Sequence, residues 1–212
     1  MKTIKNIQRA FRTFTFLFAG GSLMAIEEPK FQVVEEFSGI EIRRMSAYWT
    51  VEIELEGDEK EVGNQAFRPL LKYISGENKG SEKISMTAPV NQQPAGEKIQ
   101  MTAPVNQEKT GSSKYRVGFV LPAEFNSRKP PEPLDGRLKL RLVPERTLAT
   151  LRYRGSWSTE RFAEKKNNLL TAVAQSGKWQ LAGEPLWSRY DPPFMPWFLR
   201  RNEVQVEVRA SR

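Results

Sequence analysis

The sequence predicts an α+β fold: two ββαββ halves packed around a pseudo-twofold axis, their antiparallel sheets curling toward a distorted barrel flanked by two helices. Two observations carry this. The order two strands, helix, two strands recurs over about residues 40–121 and again over about 137–208. Each half has one helix only, too little to cover both faces of its own sheet, so the halves must cover each other.

The elements follow in order. Phe31, Val33 and Val34 open a strand run, and Ile40 and Ile42 alternate with Glu41 and Arg43. Trp49, Val51, Ile53 and Leu55 alternate with Thr50, Glu52 and Glu54, the period of a half-buried strand. Asp58, with Glu61 three residues later, signals a helix start. Val62, Ala66, Phe67, Leu70, Leu71 and Ile74 then share one helical face. Pro69 removes one backbone donor inside that helix, where a kink is expected, and Gly76 offers a left-handed exit.

Beyond an extended central region, Tyr115, Val117, Phe119 and Leu121 alternate as a strand. Lys129–Pro133 is expected to be a stiff loop with no ladder role, and Gly76–Ser81 a plain turn. Leu138, Leu140 and Leu142 alternate, and a strand follows from Leu148 to Tyr153. Ser158 is a good cap for a second helix, with Glu160 in its first turn; Phe162, Leu169, Leu170 and Val173 form its stripe and Gly177 its end. Leu186–Tyr190 and Val204–Val208 read as closing strands.

Composition removes much chemistry. The 212 residues contain no Cys and no His. Disulfides, thiolate nucleophiles, Ser-His-Asp catalysis and histidine-ligated haem are thereby excluded. The net charge is +8, but Lys2, Lys5, Arg9 and Arg12 supply four of it with no acid before residue 26, leaving +4 for the remainder. No dense basic block with interleaved aromatics stands out, so no nucleic-acid partner is expected.

The basic start, the short apolar run around Phe14–Ala19 and the small residues up to Ala25 have the order of an export signal over residues 1–25, with one domain over 26–212. The run is too short for a membrane span. An exported, periplasmic or membrane-associated protein is expected; a leader with an internal start at Met24 would make it cytoplasmic.

Two features stand above this background. EKISMTAPVNQQPAG (82–96) is followed directly by EKIQMTAPVNQEKTG (97–111), identical at 11 of 15 positions. Ile84, Met86, Ala88 and Val90, then Ile99, Met101, Ala103 and Val105, would share one strand face, and Pro89 and Pro104 belong at a strand end or edge. A duplicated hairpin arm is the reading. The second feature is YDPPFMPWFLRRNEV (190–204), a proline-stiffened loop bearing Phe194, Met195, Trp197, Phe198 and Leu199 before Arg200 and Arg201. Such aromatics either plug a core or cover a flat apolar ligand.

These residues carry a resemblance. EEPKFQVVEEFSGIEIRR, FRPLLKYISGEN, KISMTAPV and YDPPFMPWFLRRNEV make the chain similar to the SOUL haem-binding family over about residues 28–208. The resemblance implies a distorted antiparallel barrel with two helices, like the effector-binding domains of multidrug-responsive regulators. It implies non-covalent binding of haem or another tetrapyrrole, not catalysis. It also implies a cleft between the first helix and the loop before the last strand: Phe67, Arg68, Leu71 and Lys72 facing Phe194, Met195, Trp197, Phe198, Arg200 and Arg201. An axial histidine cannot transfer to this chain.

A porphyrin can be held without one. Rings and Met stack on the macrocycle while Arg or Lys meets the propionates. Covering about 400 Å² at roughly 25 cal/mol/Å² gives about 10 kcal/mol, against at least about 4 kcal/mol for association. The remainder suits a carrier or buffer with micromolar or weaker affinity. Met86, Met101, Met195 and Tyr190 are the available axial groups.

A second reading is a receptor for other flat apolar or cationic molecules, which would need an inward carboxylate among aromatics; Glu203 and Asp191 are the acids near the loop. Catalysis has no support, because Glu27–Glu28 and Glu35–Glu36 are sequence neighbours that point apart on a strand and read as solvated surface. A monomer is expected.

Overall fold

The computed structural model describes residues 27–80, 96–191 and 194–211, excepting the side chain of Lys60. The expected export segment (1–25), the first MTAPV copy up to residue 95 and the axial candidate Met86 lie outside these described residues.

The elements run β1 (Phe31–Phe37), β2 (Ile40–Met45), β3 (Tyr48–Glu56), α1 (Glu59–Ile74), β4 (Asn78–Lys79), β5 (Val105–Lys109) and β6 (Lys114–Val120). A 3-10 turn at Ala123–Asn126 follows, then β7 (Glu132–Pro133), β8 (Leu138–Val143), β9 (Arg146–Arg154), α2 (Thr159–Ser176), β10 (Trp179–Leu181), β11 (Leu186–Arg189) and β12 (Arg201–Ala210). The main sheet is antiparallel in the order β1-β2-β9-β12-β11-β5-β6-β3-β8, with β10 added beside β12. It curls as a half-barrel whose ends are β1 and β8.

The pseudo-twofold lies between β5 and β11, where Trp187 stands opposite Gln107 and Ser188 opposite Asn106. On either side of that seam the order is the same, and each half lends its first strand to the other. β2 pairs with β9, and β8 pairs with β3. The two units are interlocked, not merely packed.

Alternation puts both helices on one face of this sheet. Val62, Ala66, Leu70 and Tyr73 of α1 pack on Val51, Ile53, Val117 and Phe119. Phe162, Leu169 and Val173 of α2 pack on Ile42, Ala149, Val204 and Val206. The helix α1 runs through Pro69 without interruption. Ser158 caps α2 by accepting the Arg161 N–H at 3.2 Å, and Gly177 ends it with φ 64°.

Several expectations need correction. The second MTAPV copy is not a projecting arm: its strand begins only at Val105 and lies inside the sheet, between β11 and β6. Ile99 and Ala103 are buried while Met101 is exposed, so the four residues do not share a face. The preceding stretch follows side-chain and backbone partners instead. Ile99 N–H donates to Ile74 O at 2.8 Å, and Asn78 bonds Tyr73 O, Glu97 O and Glu97 N. Pro104 sits immediately before the strand, as its missing donor requires.

The Lys129–Pro133 loop and the Gly76 turn do have a ladder role, because β7 pairs with β4. Glu35 and Glu28 are anchors and not free surface. Glu35 accepts from Lys178 and from the Trp179 indole at 2.9 Å, and Glu28 pairs with Arg201.

Candidate functional site

The loop between β11 and β12 turns its rings outward. Phe194 is 86% exposed, Trp197 58%, Phe198 55% and Leu199 44%. Trp197 and Phe198 meet edge to face at 5.7 Å. The loop's backbone is fixed: Leu199 N–H donates to Pro196 O at 2.9 Å, and Gly155 N–H donates to Arg200 O at 3.1 Å. The Arg200 guanidinium donates to Met195 O at 2.8 Å and lies 4.5 Å from the Trp157 ring centre. The rings thus form an apolar lip held on a rigid base.

Arg201 is already committed. It pairs with Glu28, its amide donates to Asp191, and its guanidinium covers Tyr190 at 3.8 Å. The four helix residues divide by the helical period. Phe67 packs edge-on to Phe119 at 5.6 Å, and Leu71 joins it against the core. Arg68 and Lys72, one position further round, line a different groove of about 250 Å³ with Tyr73, Asp135 and Arg137, and Lys72 pairs with Glu77 at 3.0 Å. The interactions holding the helix residues and those holding the loop run separately.

Between the two groups lies Arg189, which sequence reading missed. The Arg189 Nη2 donates to Gln107 Oε1 at 2.8 Å, and the guanidinium stacks 4.0 Å from the Trp187 ring and 5.6 Å from the Trp157 ring. It fits beneath α1 because residue 63 is glycine; a Cβ there would stand 2.9 Å from Arg189 Nη1. Burial lowers the Arg189 pKa to about 10. The signal was available: the period of two in Leu186–Arg189 puts Trp187 and Arg189 on one face, two residues from the loop.

The helix-free face holds the inward carboxylate. Glu203 is 1% exposed and accepts from Arg43 Nη1 at 2.8 Å, Arg152 Nε at 3.1 Å, Tyr190 Oη at 2.6 Å and Gln205 Nε2 at 2.9 Å. Its charge and lone pairs are used by the chain itself. The space left by Phe31, Met45, Tyr48 and Tyr190 beside it is only about 10 Å³, room for one water at most. Of the axial candidates, Tyr190 is thus spent on Glu203, Met195 is half-buried and Met101 is exposed. Among the described residues no cluster of three or more His, Cys, Asp or Glu could hold a metal ion, and no helix is long and apolar enough to cross a membrane.

Interlocked halves, an interior filled by an ion network and an apolar lip outside it define a curled α+β half-barrel domain. Residues 26–207 match the family described as SOUL heme-binding protein, and the chain belongs to that family. No curated protein matches the chain. Among solved structures it is similar to the EcmrR C-terminal domain, at 12% identity and TM-score 0.57, over 85% of this chain and 99% of that one. A hydrolase from Listeria innocua matches at 10% identity and TM-score 0.52, over 83% and 94% of the two chains. At such identities these likenesses show the fold alone.

Proposed function

We propose that the protein reversibly binds haem or a related tetrapyrrole on the outer lip formed by Phe194, Met195, Trp197 and Phe198, acting as a carrier or buffer and not as a catalyst. The observation that carries this is the exposure of those rings. Phe194, Trp197, Phe198 and Leu199, on one stiff loop, face water, where a planar apolar ligand recovers their burial. Membership of a heme-binding family supports the same ligand class. Arg200 stands at the base of the lip, while Phe67 and Leu71 pack on the core beneath α1. Arg68, Lys72 and Arg201 act at a distance, as positive potential, since Lys72 and Arg201 are paired with Glu77 and Glu28.

A receptor for other flat apolar molecules is the second reading, because the exposed rings of the lip would cover any planar apolar ligand. A cationic ligand is disfavoured, because Arg43 already fills the cation position at Glu203. Titration with haemin, read by the Soret band and Trp fluorescence, is the test. Saturation near one equivalent is expected, and a linear, non-saturating response would overturn the proposal.

A further inference from the structure

We infer that Arg161 and Arg189, with the indole N–H group of Trp157, form an oxyanion subsite that takes a carboxylate of the bound ligand. This rests on the lip as the ligand's seat, and it names the group that orients the ligand there.

The cluster is built at the meeting of three elements. Trp187 and Arg189 come from β11, Tyr153 from β9, and Trp157 and Arg161 from the entry to α2. Trp187 is held rigidly by Phe162, stacked at 4.8 Å and 9°. Arg161 lies against the glycine at 155, where a Cβ would sit 3.0 Å from its Cζ. Trp187 and Tyr153 are 1% and 8% exposed. Trp157, Arg161 and Arg189 are half-buried, and Arg200 at the base of the lip covers the Trp157 ring.

Three of its donors lack partners. The Nε atoms of Arg161 and Arg189 and the Nε1 atom of Trp157 are buried without a hydrogen bond, while the Trp187 indole is used by the Tyr153 hydroxyl. Unpaired buried donors are rare in folded chains, and here three gather in one place. All three donate and none accepts. Neither guanidinium makes a salt bridge among the described residues; Glu59 acts on Arg189, and Glu164 with Arg161, only through space. Tyr153 is pushed up to about 12 by burial, while Arg189, Trp187 and Arg161 act against that rise, which sets all three about its hydroxyl.

A group with many acceptors, no protons and negative charge is the complement of such a set. Carboxylates and phosphates qualify; neutral and cationic groups do not. An acid-bearing planar ligand on the lip brings its carboxylates to this edge. The alternative source is free phosphate.

The test compares haemin with haem dimethyl ester, and phosphate with chloride at equal ionic strength, using wild-type protein, Arg161→Met and Arg189→Met. Wild type is expected to favour haemin over the ester at least tenfold. Each substitution should weaken haemin at least fivefold and leave the ester unchanged. Equal affinities in wild type, or equal losses for both pigments, would overturn the subsite while the lip reading stands. Should no pigment bind, the lip reading fails and the melting temperature decides the subsite. Phosphate raising it in wild type but in neither variant supports an oxyanion site; no rise in wild type overturns it. Arg161→Met, on the half-exposed helix entry, keeps the test available if Arg189→Met does not fold.

Discussion

Arg43 and Glu203, 160 residues apart in sequence, meet at 2.8 Å with both side chains 1% exposed. The Arg43 guanidinium spans from β2 over the intervening β9 to reach β12. A buried pair of this kind adds little over well-packed apolar residues, but removing one partner leaves an uncompensated charge. Arg43→Met should therefore cost about 3–5 kcal/mol in urea unfolding, and Arg43→Met with Glu203→Met less than the sum of the single losses. Additive losses would show that the pair is not coupled.

Glu203 also sets the response to acid. Burial alone would raise its pKa, but hydrogen bonds from Arg43, Tyr190 and Arg152 outweigh that and hold it below the usual carboxylate range. A depressed folded-state pKa means the contribution is complete above the unfolded value of about 4.3 and is lost as pH falls through the folded value. Urea midpoints should fall in that acid range, and the Glu203→Gln variant should lose the part of the fall due to this group. An unchanged acid limb in the variant would remove Glu203 from the account.

The exposed rings give a prediction that separates binding from stability. Trp197→Ala and Phe198→Ala remove side chains more than half exposed, so unfolding should change by less than about 0.5 kcal/mol. Haemin affinity should fall about fivefold for each ring, the equivalent of about 1 kcal/mol of aromatic stacking. Fluorescence titration beside chemical unfolding makes both measurements.

Asn78 offers a test of how the chain leaves α1. Its amide donates to Tyr73 O and Glu97 O, and its oxygen accepts the Glu97 N–H, all within 2.9 Å. It is 3% exposed, so Asn78→Ala strands three backbone groups and should cost about 2–4 kcal/mol in urea unfolding. Asn78→Asp cannot donate to the two carbonyls and should be nearly as damaging.

The helices, the caps of α2 and most strands were legible because short-range period and cap chemistry decide them; Ser158 and Gly177 behave as their residue types require. The exchange of β2 and β8 was not legible, because strand pairing is a long-range choice and Ile40 or Leu138 has the same pattern beside either neighbour. The second MTAPV copy misled because alternation at Ile99–Val105 mimics a strand, while Asn78 and Ile74 recruit its first part by single bonds. At the site, the lip was legible from its composition. The helix residues were half legible: Phe67 and Leu71 lie on the face of α1 that meets the core, whereas Arg68 and Lys72 turn to another groove. Arg189 had a local signal in its alternation with Trp187, but its partners did not: the bare backbone of residue 63 and Trp157, ahead of α2, have no local signature pointing to it.

The position of β12 has a consequence for the order of assembly. It is an interior strand, bonded to β9 on one side and to β11 and β10 on the other. Until residues 201–210 dock, those edges stay bare, so the second half cannot close before this strand arrives.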